Sequence, residues 1–483
     1  MRHRLWTCAI CATSILGVAN WAISAPQHND AEVVAAIAQL RAELNELRAT
    51  ADPTQQWLDE ARLEEVKQLV RDVLSDAGQR SSLAGEQATS GFDGQNLWVG
   101  SADGNFKLIG RGFMQWRYNF DDRSEVTGVD GATNSEWGFQ NRRTRLMLEG
   151  HVIDPSWQYK VEIQSTSGSQ APTSSDLWIQ KTFSDGFSLR VGQFKPAYLR
   201  EFDVAVTATV FADRSSTAVF FLPARTIGVQ ASWEGESFRL QGMFANAFDV
   251  KSNYYNSGTL RDVSWGSPKV AEYAFTGRAE WRVVGTWEQL RGFTGWRGGE
   301  VGALVGLGGQ AMQRNNNQGV PAMYGDLNPF IVGATADLTL QFDGASLCTW
   351  VAFRQVDPGQ AGLANANQYG AVIQGGVFVG RDLELIGRFE YGNADTMPNG
   401  ETPVVASMPS NNGYSNLSAA SIGVNWYISR QRLRITTDLS YAFTGVGAFA
   451  DPVANFQPDG TNTAGAFDAT GQVLLRAQLQ IMF

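Results

Sequence analysis

The chain ends in a stretch in which apolar and polar residues alternate. Residues 473–483 read Val-Leu-Leu-Arg-Ala-Gln-Leu-Gln-Ile-Met-Phe, and an extended strand would place Leu479 and Ile481 on one face and Gln478 and Gln480 on the other. Soluble domains seldom end on a core residue, because chain ends fray. A strand that crosses a membrane, in contrast, needs one face for lipid and one for a wet lumen. The pattern predicts a transmembrane barrel strand that ends at the last residue.

The same period of two recurs from residue 106 onward, in segments of roughly 10 to 14 residues. In 273–282, for example, the aromatic residues alternate with Thr276, Arg278, Glu280 and Arg282. Similar alternation runs through 330–342, 383–391 and 432–443. Short joints such as Asp343-Gly344 separate these segments, and they alternate with long polar loops such as 313–328. We therefore expect an all-β fold, in which 101–483 form a transmembrane up-and-down antiparallel β-barrel of about 16 strands around a water-filled lumen.

The first residues of the chain are typical of an export signal. Residues 1–25 combine a basic start, an apolar run and a small-residue Ala-Ile-Ser-Ala site, which predicts a signal peptide. Because Pro26 would disfavour cleavage directly before it, we place the cut after Ser24. Cys8 and Cys11 would leave with this peptide, so Cys348 would be the remaining cysteine and no intrachain disulfide is expected.

Residues 26–77 carry a helical pattern instead of a strand pattern. Apolar residues follow 4-3-4-3 spacing among charged neighbours, at Val33, Ile37, Leu40, Leu44 and Leu47. The pattern predicts a periplasmic α-helical segment, which is either a hairpin that packs on another surface or a coiled coil that joins three copies of the chain. Residues 78–100, rich in Gly, Ser and Gln, are expected to be a linker.

Composition and charge exclude several functions. The formal net charge is −10 and no basic run is present, which argues against nucleic acid as a partner. Only His28 and His151 would remain after export, so a histidine metal site or a catalytic triad is not expected. The chain lacks G-x-S-x-G, H-E-x-x-H and phosphate-cradling glycine motifs. We expect no enzyme activity, no cofactor and no metal.

Arginine is the informative polar residue. On the alternating strands, arginines fall opposite the apolar set, because a charge facing lipid would cost about 2–4 kcal/mol at the midplane. Guanidinium groups along a pore wall could select oxyanions, although a pore wall also needs charged residues for solvation alone, and carboxylates share these faces. The candidate lumen residues are Arg143, Arg145, Arg190, Arg239, Arg278, Arg282, Arg354, Arg388, Arg432, Arg434 and Arg476.

The connection 195–224 is long and unusually apolar for an exposed loop. A connection of this kind must bury its apolar side chains. It could fold into the barrel and narrow the pore, or it could pack in an interface between subunits. Folded inward, it would bring Lys195, Arg200, Arg214 and Arg225 near a constriction.

Several motifs resemble those of the phosphate-selective porin O and P family. They are Phe-Gln-Asn-Arg-Arg-Thr-Arg-Leu-Met-Leu-Glu-Gly at 139–150, Trp-Gln-Tyr-Lys-Val-Glu-Ile at 157–163, Val-Gly-Gln-Phe-Lys-Pro at 191–196, Phe-Ala-Asp-Arg at 211–214 and Arg-Thr-Ile-Gly-Val at 225–229. The resemblance covers about 100–483. It implies a trimeric sixteen-stranded barrel with an inward third loop and an arginine ladder. Arg143, Arg145, Lys195, Arg214 and Arg225 match the basic motif residues of the family.

One departure from the family concerns lysine. Lys160, Lys181 and Lys195 are the only lysines between Val126 and Val250, whereas phosphate selection in the family also relies on lysines. The resemblance therefore implies a family-like pore more directly than it implies phosphate as the solute.

Together these observations predict an outer-membrane porin that passes small hydrophilic solutes and favours anions such as phosphate. The expected partners are the lipid bilayer, two further copies of the chain in a homotrimer, and the barrel-assembly machinery, which would read Phe483 as its signal. One alternative is a general or sugar/organic-solute porin without anion selectivity. Another is an envelope-tethering barrel whose coiled coil contacts the cell wall or a partner.

Overall fold

In a computed structural model, the protein is described over ten ranges of the chain. They are 88–93, 96–123, 135–166, 172–223, 225–246, 271–314, 330–357, 365–395, 416–446 and 471–483, together with the single residues 42, 68, 359, 449 and 456. The predicted signal peptide and nearly all of the predicted periplasmic helical segment lie outside the described residues. Where the chain is described, no helix is long and apolar enough to cross a bilayer.

Eighteen strands and two short α-helices follow one another along the described chain. The strands are β1 Thr89–Phe92, β2 Leu97–Gly100, β3 Lys107–Asp122, β4 Ser135–His151, β5 Trp157–Ser165, β6 Thr173–Thr182, β7 Phe187–Phe194, β8 Thr226–Glu234, β9 Phe238–Ala245, β10 Ala271–Val284, β11 Gly302–Arg314, β12 Phe330–Phe342, β13 Ala345–Asp357, β14 Ala366–Phe378, β15 Leu383–Ala394, β16 Asn416–Ser429, β17 Leu433–Ala442 and β18 Gln472–Met482. Helices α1, Arg200–Asp203, and α2, Ser216–Phe221, lie between β7 and β8.

The strands from β3 to β18 close into a sixteen-stranded antiparallel barrel. Each strand pairs with the next along the chain, and β18 returns to pair with β3. At the closure, Val473 lies opposite Asp122 and Met482 lies opposite Phe113. The predicted fold and strand number are confirmed. A closed ring leaves no free edge, so every strand satisfies its backbone hydrogen bonds within the sheet.

Burial is inverted relative to a soluble domain, as the alternation predicts. On β18, Leu479 and Ile481 are about 40% exposed on the outer face (43% and 42%), whereas Gln478 and Gln480 are 1% exposed on the inner face. On β12, Asp337 and Gln341 are likewise buried inside the ring. The outer face is suited to lipid, and the polar groups converge on the interior.

The two ends of the barrel differ in their connections. The joints at the end that carries Phe483 are mostly short, such as 343–344 and 430–432, and short turns are periplasmic in barrels of this type. One joint at this end is long, which the sequence did not predict. It comprises residues 285–301, between β10 and β11, and includes a 3-10 turn at Gln289–Arg291. We call this stretch the β10–β11 segment.

A small hairpin extends the wall below the last strand. Strand β2 pairs with β1 and with the start of β3, where Leu97 lies opposite Gly110. Phe483 pairs with Gly112 directly above, through reciprocal backbone bonds of 2.6 and 2.9 Å. The hairpin and β18 thus share one edge of β3. Both short strands fall within 78–100, which was predicted to be a linker, so the second half of that stretch holds a hairpin.

Candidate functional site

Residues 195–223, which we call the inner segment, fold into the barrel interior. The segment leaves β7 at Phe194 and continues through α1 and α2 to Pro223, shortly before β8 begins at Thr226. Its backbone carbonyls accept hydrogen bonds from inward side chains of distant strands. These bonds are Gln115 to Val206 (3.4 Å), Gln480 to Thr207 (3.1 Å), Arg434 to Thr209 (2.6 Å), Asn425 to Val210 (2.8 Å) and Arg117 to Ala212 (3.1 Å). Because β3, β16, β17 and β18 all contribute donors, the segment lies against that wall of the lumen.

Apolar packing also holds the inner segment in place. Phe202, Phe220 and Phe221 pack with inward-facing Trp350 and Leu417 in one buried cluster. Glu201 accepts a hydrogen bond from the Trp350 indole nitrogen at 2.8 Å and another from the Ser215 backbone nitrogen at 2.7 Å. The segment therefore has a core of its own inside the barrel, which explains why its sequence is too apolar for a surface loop.

Asp213 is the electrostatic anchor of this segment. Its carboxylate receives Arg142 at 2.6 Å, Arg143 at 2.8 Å and Arg117 at 2.8 Å. Burial alone would raise the pKa of Asp213, but these three guanidinium groups hold the pKa well below its usual range. The carboxylate is thus charged at any pH relevant to the membrane, and it ties the inner segment to β3 and β4.

A β-bulge allows two adjacent arginines to reach the same carboxylate. Between β3 and β4 the pairing passes from Arg143–Gln115 to Asn141–Trp116, so Arg142 is the extra residue of β4. A bulge breaks the alternation of faces, and both Arg142 and Arg143 point inward and are buried. Strict alternation would have placed Arg142 toward lipid.

Opposite the inner segment, the lumen keeps an open cavity of about 350 Å³. One side is the barrel wall of β5 to β11, the other is the first half of the inner segment, and Trp287, Leu290 and Arg291 of the β10–β11 segment border it at the periplasmic end. Six cationic side chains line it, namely Lys160, Arg190, Lys195, Arg200, Arg239 and Arg291. Three carboxylates line it as well, from Asp176, Asp203 and Glu280.

The carboxylates of the cavity are all neutralised by near neighbours. Asp176 lies 2.8 Å from Arg225 and 2.9 Å from Lys160. Asp203 lies 3.2 Å from Arg278. Glu280 lies 3.0 Å from Arg239 and 3.0 Å from Arg278. The negative charge facing the cavity is therefore compensated within the protein.

Three of the cations have no such compensation among the described residues, because no described carboxylate lies within ion-pair distance of Arg190, Lys195 or Arg291. Arg190 stacks on the Trp178 ring at 4.2 Å and donates to Gln180 at 2.8 Å. Lys195 donates to the carbonyl oxygen of Phe202 at 2.8 Å. The uncompensated charge of the cavity is positive.

The electrostatic potential around Lys195 is positive as well. Burial lowers the pKa of Lys195 well below its usual value, and the neighbouring Arg214 and Arg225 lower it further. A site where added protons are repelled by fixed cations is one where an anion is attracted. The first half of the inner segment thus presents an electropositive surface to the cavity.

The structure separates the predicted pore residues into two groups. Arg190, Lys195, Arg200 and Arg239 border the cavity. The others are held by protein partners: Arg143 by Asp213, Arg145 by Glu162, Arg214 by the carbonyl oxygens of Glu201 and Val204, Arg225 by Asp176, Arg278 by Asp337, Arg282 by the carbonyl oxygens of Glu236 and Gly285, Arg388 by the carbonyl oxygen of Asp213, Arg434 by that of Thr209, and Arg476 by Asp438. Arg354 bonds Gln368, and Arg432 lies half-buried just before β17.

Some functional residues were not found from the sequence. Asp213 and Arg142 appear there only within quoted motifs, and neither is among the predicted pore residues. The adjacent pair Arg142-Arg143 was a usable signal, since one of two consecutive arginines in a membrane strand must face lipid unless a bulge turns it inward. Arg291 and Trp287 lie in a connection that carried no strand pattern.

Comparison with known proteins shows which protein family this chain resembles. Residues 106–316 match the family model described as phosphate-selective porin O and P. The resemblance predicted from the sequence is thereby confirmed over this range. No curated protein matches the chain.

Solved structures of several outer-membrane proteins are similar to the chain. The anion-selective porin from Comamonas acidovorans has 11% identity and a TM-score of 0.48, covering 78% of this chain and 99% of that one. The channel DcaP of Acinetobacter baumannii has 11% identity and a TM-score of 0.47, with 78% and 98% covered. OmpT of Vibrio cholerae, in a trimer form, has 11% identity and a TM-score of 0.46, with 77% and 99% covered.

The match to the model of phosphate-selective porin O and P over residues 106–316 and the closed barrel together indicate an integral outer-membrane porin. The match ends near Arg314, where β11 ends. It includes β7, the inner segment and β8, so the part of the chain that shapes the pore is the part in which the family is recognised.

Proposed function

We propose that the protein is a diffusion channel for small hydrophilic solutes that favours anions, and that solutes pass through the cavity beside the inner segment. The observation that carries the proposal is the pattern of compensation in the cavity. Every lining carboxylate has a cationic partner within 3.2 Å, whereas Arg190, Lys195 and Arg291 have no carboxylate partner among the described residues.

The physical argument rests on which charges a permeating ion meets. An ion pair presents a dipole, whose field falls quickly with distance, but an uncompensated guanidinium presents a full charge. At an effective dielectric constant of about 20, a unit charge about 6 Å away contributes about 3 kcal/mol. The guanidinium charges of Arg190 and Arg291 along a narrow passage lower the barrier for an anion and raise it for a cation.

Arginine suits this role because it stays protonated and presents planar donors. A guanidinium group matches the oxygens of phosphate or carboxylate through paired hydrogen bonds. Arg190 is stacked on Trp178, which fixes its plane without neutralising its charge. Small oxyanions, phosphate among them, are therefore the solutes that the cavity fits best.

Swelling of proteoliposomes in solutes of matched size tests this function. We expect an anionic sugar acid to enter faster than the neutral sugar, and an amino sugar to enter more slowly than both, because the three differ mainly in charge. Liposomes without protein give the baseline. Equal rates for the three solutes would indicate a general porin without charge preference and would contradict the proposal.

We also propose that the channel works as a homotrimer, joined in part by the predicted helical segment 26–77. Strands β5 to β9 span only 8 to 10 residues, shorter than most others in the barrel, and a low wall of this kind suits contact with other subunits. Sizing of the purified protein in detergent, with and without residues 26–77, tests the proposal. A trimer that persists after the deletion would assign the contact to the barrel alone, and a monomeric full-length protein would contradict the proposal.

A further inference from the structure

The β10–β11 segment, residues 285–301, differs from the other connections at the periplasmic end. The other described joints at this end are turns of two to five residues. This one is much longer and buries Leu290 and Phe293, which are 2% and 1% exposed. An exposed connection would not hide apolar side chains so completely, so the segment folds against the barrel interior.

Its first contact is with the inner segment. The backbone nitrogen of Phe293 donates to the carbonyl oxygen of Ala208 at 3.2 Å. Arg200 donates to the carbonyl oxygen of Leu290, and its guanidinium lies 5.7 Å from the Phe293 ring. Arg200 therefore joins the two segments, in addition to bordering the cavity.

Its second contact is with the far wall. Gln341 on β12 donates to the carbonyl oxygen of Gly292 at 2.9 Å. The Trp296 ring lies 5.7 Å from the Phe378 ring on β14 and 4.8 Å from the Tyr427 ring on β16. The segment thus crosses from β10 to β16 over the periplasmic mouth.

A glycine fixes how closely the segment lies on the wall. A Cβ atom on Gly295 would fall 1.9 Å from the carbonyl oxygen of Ala345, at the start of β13. No side chain fits at that distance, so the position requires glycine for the close approach of the two backbones. The approach is tight enough that the segment cannot be a loosely attached loop.

We propose that the β10–β11 segment is a second constriction, at the periplasmic end of the pore, and that Arg291 makes this constriction selective for anions. The segment covers the side of the mouth over β12 to β16, which leaves an opening beside β5 to β10. Trp287, Leu290 and Arg291 line the cavity there. Arg291 is exposed and has no carboxylate within ion-pair distance among the described residues.

The selectivity part of this proposal rests on the proposed function, and charge reversal tests it. We expect Arg291→Glu to lower the anion-to-cation permeability ratio about two- to threefold, because a unit charge near the passage changes sign. The ratio of currents at equal voltages of opposite sign should change as well, since the charge sits at one mouth only. The matched control is Arg381→Glu, an exposed arginine in the turn between β14 and β15 that does not line the cavity. If Arg291→Glu and Arg381→Glu changed the anion-to-cation permeability ratio equally, the assignment of Arg291 would be overturned.

The constriction itself is tested without reference to charge. In a Cys348→Ala background, Arg291→Cys is labelled with a bulky neutral thiol reagent, and Arg381→Cys is labelled in parallel. We expect labelling at 291 to reduce the single-channel conductance by about half and labelling at 381 to leave it unchanged. An unchanged conductance at 291 would overturn the second constriction. If the wild type lacked anion preference but labelling at 291 still blocked current, the proposed function would fail and the constriction would stand.

Discussion

Replacing Asp213 with Asn is expected to detach the inner segment from β3 and β4. The substitution preserves size but removes the charge that Arg117, Arg142 and Arg143 share at 2.6 to 2.8 Å. Breaking a buried ion pair from one side costs about 3–5 kcal/mol, because the remaining charges stay buried without their partner. We expect a lower thermal unfolding temperature of the folded barrel, and a larger and noisier single-channel conductance.

The conductance readout separates a pore effect from general instability. Asp382→Asn is the matched control, because Asp382 is exposed in the turn between β14 and β15. It should leave both stability and conductance unchanged. If Asp213→Asn lowered stability but conductance stayed at the wild-type value, Asp213 would support the barrel without holding the inner segment in the lumen.

The dependence of this contribution on pH follows from the direction of the Asp213 pKa shift. The folded-state pKa lies well below the usual value of about 4. A depressed carboxyl pKa contributes stability that is complete above the unfolded-state value and is lost only as pH falls through the folded-state value. The anchor is therefore expected to hold unchanged through neutral and mildly acidic pH.

Neutralising Arg190 and Lys195 together is expected to have the largest effect on selectivity. The double variant Arg190→Gln with Lys195→Gln removes two of the three uncompensated cations of the cavity. A fully charged side chain contributes up to about 3 kcal/mol before screening by mobile ions, and a net change of about 1.4 kcal/mol corresponds to tenfold. We expect the anion-to-cation permeability ratio to fall about tenfold or more in bilayer recordings at low salt.

The salt concentration and a substitution far from the cavity provide the controls for this change in the permeability ratio. The difference between wild type and the double variant should shrink as the salt concentration approaches 1 M, where the Debye length is only about 3 Å. Arg381→Gln, at the periplasmic rim, should leave the ratio unchanged. A double variant that kept the wild-type ratio would assign selectivity to other residues than those of the cavity.

Lipid contact explains why the barrel could be predicted in such detail. A membrane strand must keep its outer face apolar along its whole length, so 330–342 and 473–483 carry the period of two without interruption. The same constraint predicted that Arg278, Arg434 and Arg476 face inward, and the structure places them there. Alternation therefore predicts the face of a strand side chain wherever the strand is regular, because the penalty for the wrong face is large.

Depth within the lumen could not be predicted in the same way. Alternation does not distinguish Arg190, which borders the cavity, from Arg434, which lies behind the inner segment and is 0% exposed. That difference depends on where residues 195–223 pack, which in turn depends on contacts with strands far away in sequence, such as Asn425 to Val210. A local pattern carries no information on such contacts.

The β10–β11 segment and the bulge at Arg142 were missed for related reasons. Both interrupt a regular pattern, and each is fixed by a contact that periodicity does not report. Gly295 needs its glycine because Ala345 is close, and Arg142 turns inward because Asp213 is there to receive it. In each case the conformation is fixed by a residue on another element of the structure.

The reversal potential of the wild-type channel in a salt gradient tests the central claim most directly. The purified full-length protein would be placed in a planar bilayer between potassium chloride solutions of unequal, low concentration. Because the uncompensated charge of the cavity is positive, the current should reverse at a voltage displaced toward the equilibrium potential of chloride. A reversal at zero voltage, or one displaced toward the equilibrium potential of potassium, would contradict the account.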